Sequence, residues 1–199
     1  MILNKKKNRG TGAGGAKTNE NGKAFEKKVS LIPYLLEMRF VEKLESAGKR
    51  KKKINIWRKQ TSETEAICYM EQNTLLYYWN IHFKTNFNIS QGKRPDAAFI
   101  FYKNGIVDRI TILESKTQNV DGSTKEKVET GDFKRYDYQK RLKCNKIDFA
   151  FILCDYMKEW YLSPKCELLR AYNVEKDIPC FYGEEDDFWD KLRKFIFKE

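Results

Sequence analysis

A single histidine, four prolines and no long apolar run set the first limits on this sequence. His82 alone cannot assemble a histidine-based nuclease or a histidine zinc site, and it reads as a packed or surface residue. The five cysteines, Cys68, Cys144, Cys154, Cys166 and Cys180, are odd in number and form no CxxC pair. They argue against a disulfide framework and against zinc, and read as reduced packing thiols. No apolar segment approaches the roughly 18 residues of a spanning helix, and the first residues lack the apolar core of a signal peptide. A soluble, intracellular protein without a membrane partner is expected. Residues 12–23 are glycine-rich, but Ala16 stands where a phosphate loop needs glycine before Lys17, and no strand precedes it. No nucleotide cofactor is expected.

Charge of one sign is also scarce. Against 39 Lys and Arg stand 28 Asp and Glu, giving a net charge of +11 and a pI near 9.3. That excess calls for a polyanionic partner, and nucleic acid is the commonest. With 199 residues, 41% hydrophobic and 14% aromatic, the chain can bury one core of its own. Residues 1–22 are rich in Lys, Asn and Gly and nearly devoid of apolar side chains after Leu3, which marks a flexible basic arm. Residues 23–199 then form one domain.

Periodicity supplies the elements. Phe25, Val29, Ile32, Leu35, Leu36, Phe40, Val41 and Leu44 recur at helical spacing, predicting one long helix over residues 23–44 or two joined near Pro33. The basic run 49–53 reads as a solvated turn before a short strand at 54–57. A second helix is predicted over residues 62–82, capped by Thr61 or Ser62. Residues 97–102 and 110–113 are short, β-prone and separated by a turn at Lys103-Asn104-Gly105, which predicts a hairpin. Further helices are expected at 132–142, 167–174 and 184–197, and strands at 147–154 and 178–182. The order favours an α/β fold with a central mixed β-sheet flanked by α-helices.

The hairpin gives this pattern chemical meaning. Pro95-Asp96 opens its first strand and Glu114-Ser115-Lys116 ends its second, so all three polar side chains can meet at one sheet edge. Alternation puts Glu114 and Lys116 on one face and Ser115 on the other. The plainer reading makes Asp96 a turn residue and Glu114 with Lys116 an exposed pair. Phosphodiester hydrolysis would use the same groups differently. A hard divalent cation prefers carboxylate and carbonyl oxygens, which Asp96, Glu114 and the Ser115 carbonyl supply. Lys116 would orient the attacking water and stabilise charge on the phosphate.

Pro95-Asp96, a hairpin, and then Glu114-x-Lys116 resembles the signature of the PD-(D/E)XK nuclease superfamily. The resemblance spans roughly residues 23–155 and implies a restriction-endonuclease-like fold and Mg²⁺, with Mn²⁺ as a possible substitute. It also implies Glu26, in an early helix, as a further acidic residue facing the metals. The small size, the Lys- and Asn-rich segments and the lack of helicase motifs look most like a type II restriction endonuclease. That in turn implies a homodimer on double-stranded DNA. Gln118 continues the alternation of Glu114 and Lys116 and is a further catalytic candidate. The candidate DNA contacts are Lys17, Lys23, Arg94, Lys125, Lys134 and Arg135. A structure-selective repair nuclease or junction resolvase, a non-catalytic DNA-binding protein and a basic interaction protein of another fold remain open alternatives.

Overall fold

The computed structural model describes residues 24–47, 52–85, 93–118 and 123–199. Helix α1 covers residues 24–28, and α2 is Ile32–Glu37. Three antiparallel strands follow, β1 (Val41–Ala47), β2 (Lys52–Gln60) and β3 (Glu65–Met70), and then α3 (Asn73–His82). The hairpin is β4 (Ala97–Lys103) and β5 (Ile106–Lys116). After it come α4 (Thr124–Glu129), α5 (Gly131–Leu142), β6 (Ile147–Leu153), α6 (Asp155–Leu162) and a 3-10 turn at Pro164–Cys166. The last elements are α7 (Glu167–Glu175), β7 (Cys180–Tyr182) and α8 (Phe188–Phe197).

All seven strands join one sheet in sequential order, antiparallel from β1 to β5 and parallel from β5 through β7. The expected α/β fold with a central mixed sheet and flanking helices is therefore present. Among the described residues no helix is long and apolar enough to cross a membrane.

Each parallel connection carries helices, as a crossover between parallel strands requires. On one sheet face Tyr138 and Leu142 of α5 are fully or almost fully buried. On the other, Phe197 of α8 makes edge contacts with Phe99 and Phe101 of β4. Strands β4, β5 and β6 are covered on both sides, so Phe99, Ile100, Ile110, Thr111, Ile112 and Phe149 are all buried. Gly131 opens α5 where a Cβ would stand 2.7 Å from the Phe151 ring, so the helix meets β6 closely only because that position lacks a side chain. The β4–β5 turn puts Asn104 (φ 53°) and Gly105 (φ 74°) in the left-handed region, the residue types and conformation of a tight hairpin.

Two expected helices are corrected. The pattern over residues 23–44 is two helices that meet just before Pro33, the second of the two expected forms, but it does not reach residue 44, because α2 ends at Glu37, Arg39 adopts φ 62° and the chain enters β1 at Val41. Val41 and Leu44 are exposed on this edge strand, so their helical spacing was coincidental. The region 62–82 is likewise half strand. Five successive residues, Ala66 to Met70, are buried, which a strand between two neighbours achieves and an amphipathic helix does not. Ser62 caps no helix; its Oγ accepts from the Thr64 and Glu65 N–H groups in a local turn. The strand expected at 54–57 is longer, and Lys52 and Lys53 of the basic run belong to it rather than to a turn. Helices α4 and α6 were not anticipated. The arm at 1–22, Lys17, Lys23 and residues 49–51 lie outside the described residues.

Candidate active site at the β4–β5 edge

The register brings the site together. Ala97 pairs with Leu113 across β4 and β5, so Asp96 follows opposite Glu114, where the chain enters β4 and β5 nears its carboxyl end. β5 also runs parallel to β6, with Glu114 beside Phe151 and Lys116 beside Leu153. The carboxyl ends of parallel strands are a recurrent place for a ligand site, since side chains there project beyond the packed sheet.

Asp96, Glu114 and Lys116 form one cluster. The Ser115 N–H donates to Asp96 Oδ2 at 2.7 Å, locking that carboxylate against the β5 backbone. Lys116 Nζ donates to Glu114 Oε2 at 2.7 Å and to the Ser115 carbonyl at 2.8 Å, and lies 3.6 Å from Asp96 Oδ2. Side-chain exposures of 9% for Glu114 and 11% for Lys116 exclude the exposed-pair reading. The ammonium of Lys116 thus sits among the three oxygen donors that the sequence offers a divalent cation.

Lys134 is the addition that the sequence did not place here. α5 brings its Nζ to 3.1 Å from Glu114 Oε2, so one carboxylate oxygen carries two ammonium groups. The two carboxylates respond in opposite directions. Burial would raise Glu114, but Lys116 and Lys134 together outweigh it and hold the carboxyl below its usual range. Asp96 is raised, chiefly by burial and further by Glu114, with Lys116 and the Ser115 N–H only partly offsetting them. Burial likewise pushes Lys134 below the usual lysine range despite Glu114, and Lys116 adds to the push.

The other candidates separate. Glu26 is exposed on α1 and lines a cleft of about 310 Å³ that also contains Asp96, Ser115 and Glu71. Glu71, which accepts from the Tyr69 hydroxyl at 2.6 Å, was missed because its segment was read as helix. Gln118 is buried just beyond β5, and its carbonyl accepts from Cys154 Sγ at 3.5 Å. Arg94 is exposed two residues before Asp96. Lys125 lies 5.5 Å from the Tyr156 ring and 5.6 Å from the Trp160 ring. Arg135 is not brought to the site: it donates to the Lys176 carbonyl at 2.5 Å and to Asp132 at 2.7 Å, tying α5 to the end of α7.

Among the described residues, no group of three or more His, Cys, Asp or Glu side chains is placed to hold a metal. The oxygen set here is two carboxylates and one backbone carbonyl, already gathered around a positive charge. That donor chemistry fits a hard cation such as Mg²⁺ or Mn²⁺. No protein-family model, curated protein or solved structure matches this chain.

Proposed function

We propose that the chain is a divalent-cation-dependent endonuclease of the PD-(D/E)XK type that hydrolyses phosphodiester bonds in double-stranded DNA. The observation that carries this reading is the Lys116 ammonium held by Glu114, the Ser115 carbonyl and Asp96. Three oxygen donors converge on one cationic position at the end of a buried strand. The net charge of +11 supports a polyanionic substrate.

Asp96, Glu114 and the Ser115 carbonyl would hold Mg²⁺, or Mn²⁺ in its place. The bound cation supplies polarisation of the phosphate and acidification of a water. The chain's own residues do the rest. Lys116, withdrawn from between the carboxylates, orients the attacking water and faces the negative charge that grows on the phosphate oxygens. Lys134 gives the same edge a second ammonium for a backbone phosphate. The water oxygen would bond to phosphorus in line as the bond to the leaving oxygen breaks, the water giving up one proton to solvent and the leaving oxygen taking one up. No covalent enzyme intermediate forms.

Site-specific cleavage of the type II restriction kind by a homodimer is the form we propose, because each strand of a duplex needs its own active site. The test is cleavage of long duplex and of branched DNA in Mg²⁺ by the wild type, Asp96→Ala, Glu114→Ala and Lys116→Ala. Discrete duplex fragments lost in all three variants support this reading. Cleavage confined to branched DNA replaces it with a structure-selective nuclease. No cleavage by the folded wild type leaves a non-catalytic DNA-binding protein.

A further inference from the structure

Tyr138 is fully buried, and among the described residues its hydroxyl has no hydrogen-bond partner. A buried donor is normally satisfied, and an exception calls for a reason. Its location supplies one. Tyr138 follows Lys134 by four residues on α5, so the two share a helix face, and Lys134 on that face reaches Glu114. Helical side chains lean back over the preceding turn, which carries the Tyr138 ring towards the turn of Lys134 and hence towards the site. Burial foremost, and then Glu114 and Asp96, keep the phenol protonated far above its usual range, so the group is a neutral O–H donor.

In the metal-free arrangement Lys116 and Lys134 both donate to Glu114 Oε2, and the Tyr138 hydroxyl does not. A divalent cation on the same carboxylate would repel both ammonium groups, and a hydroxyl could then donate to Glu114 without adding charge. We propose that Tyr138 is a positioning residue for the metal-loaded site, donating to Glu114 once the two lysines have let go. This rests on the endonuclease reading above and adds a residue to it. A carboxylate oriented by a neutral donor keeps its second oxygen aimed at the cation, as outer-shell partners of metal ligands generally do.

The experiment compares wild type with Tyr138→Phe, which keeps the ring and removes only the hydroxyl. Mg²⁺ binding is measured by calorimetry without DNA, and thermal melting of the metal-free protein is measured alongside. The expected result is a metal-free Tm unchanged or slightly raised, with Mg²⁺ affinity lower by about tenfold. The Mg²⁺ concentration for half-maximal DNA cleavage should rise by a similar factor, with the rate at saturating Mg²⁺ changing less. Equal Mg²⁺ affinity in the two proteins overturns the role of Tyr138 and leaves the endonuclease reading intact. A lowered metal-free Tm overturns it too, because the hydroxyl would then serve the fold. If the wild type itself neither binds Mg²⁺ nor cleaves DNA, the endonuclease reading fails and this inference with it.

Discussion

The two ends of the β4–β5 hairpin carry similar residue types in opposite settings. At the turn end, Lys103 meets Glu65 at 3.8 Å and Lys146 meets Asp108 at 3.0 Å, with the lysine side chains 64% and 72% exposed. At the other end, Lys116 and Lys134 meet Glu114 with all three side chains under 15% exposed. Water screens the first set, and such pairs contribute little. The second set bears the cost of desolvation, and a buried ion pair often holds a fold no better than apolar residues of the same volume. Charge placement alone does not mark a site. What marks this one is charge kept where it is costly, at the mouth of an otherwise apolar sheet.

The largest expected effect tests whether that cost serves chemistry. Asp96→Asn, Glu114→Gln and Lys116→Ala should each lower single-turnover DNA cleavage in Mg²⁺ by about a thousandfold. Charge removal at the turn end, as in Asp108→Asn, should leave the rate unchanged. Loss of activity from the turn-end variant would break the contrast.

Stability should separate the two carboxylates even though activity does not. Glu114→Gln leaves Lys116 and Lys134 buried beside a neutral group and should cost about 3 kcal/mol in urea unfolding at neutral pH. The Glu114 carboxyl is held low in the folded state. Its contribution is therefore present above the ordinary glutamate range and lost as pH falls through the lowered value. The gap between variant and wild type should close in acid. Asp96 is raised, so its ionisation works against folding as pH climbs through that value. Asp96→Asn should be neutral or stabilising at neutral pH, and a cost matching that of Glu114→Gln would contradict the opposed shifts.

A smaller effect concerns the helix that delivers Lys134 and Tyr138. Gly131→Ala drives a methyl into the buried Phe151 ring and should cost about 1–3 kcal/mol in the same unfolding assay. If α5 gives way, cleavage should fall as well; unchanged stability would mean that the helix start is looser than its packing shows. The smallest effect belongs to the turn end. Asp108→Asn should change stability by less than about 0.5 kcal/mol. Lys146 holds the Asp108 carboxyl low, so even that contribution should vanish as pH falls below the usual aspartate range.

The hairpin and its neighbours were legible because their signals are local. The β4 and β5 runs are β-prone on either side of an Asn104-Gly105 turn, β6 is an almost unbroken apolar run of strand length, and α5 and α7 lie close to the bounds their sequence predicts. The triad was legible only in part: counting back from the turn pairs Asp96 with Leu113, and the register shift at Phe101/Tyr102 is what sets Asp96 opposite Glu114. The β1–β3 wing was not legible, because residues 41–44 and 65–70 carry apolar spacings that suit either period. Strand β3 is fixed by pairing with β4, far along the chain, which overrides local preference, and β1 lies at the sheet edge, where its exposed Val41 and Leu44 give no alternation. The same non-locality hid Glu71 from the cleft and Lys134 from Glu114. The spacing of Lys134 and Tyr138 was readable, but the strand their helix face would meet was not.

The most direct measurement is single-turnover cleavage of a long DNA duplex by the wild-type protein in Mg²⁺ and, in parallel, in excess chelator. Fragments are expected with Mg²⁺ and none with chelator, with activity returning when Mg²⁺ is restored. Equal cleavage in chelator would contradict a cation between Asp96, Ser115 and Glu114, and intact DNA in Mg²⁺ would contradict the endonuclease itself.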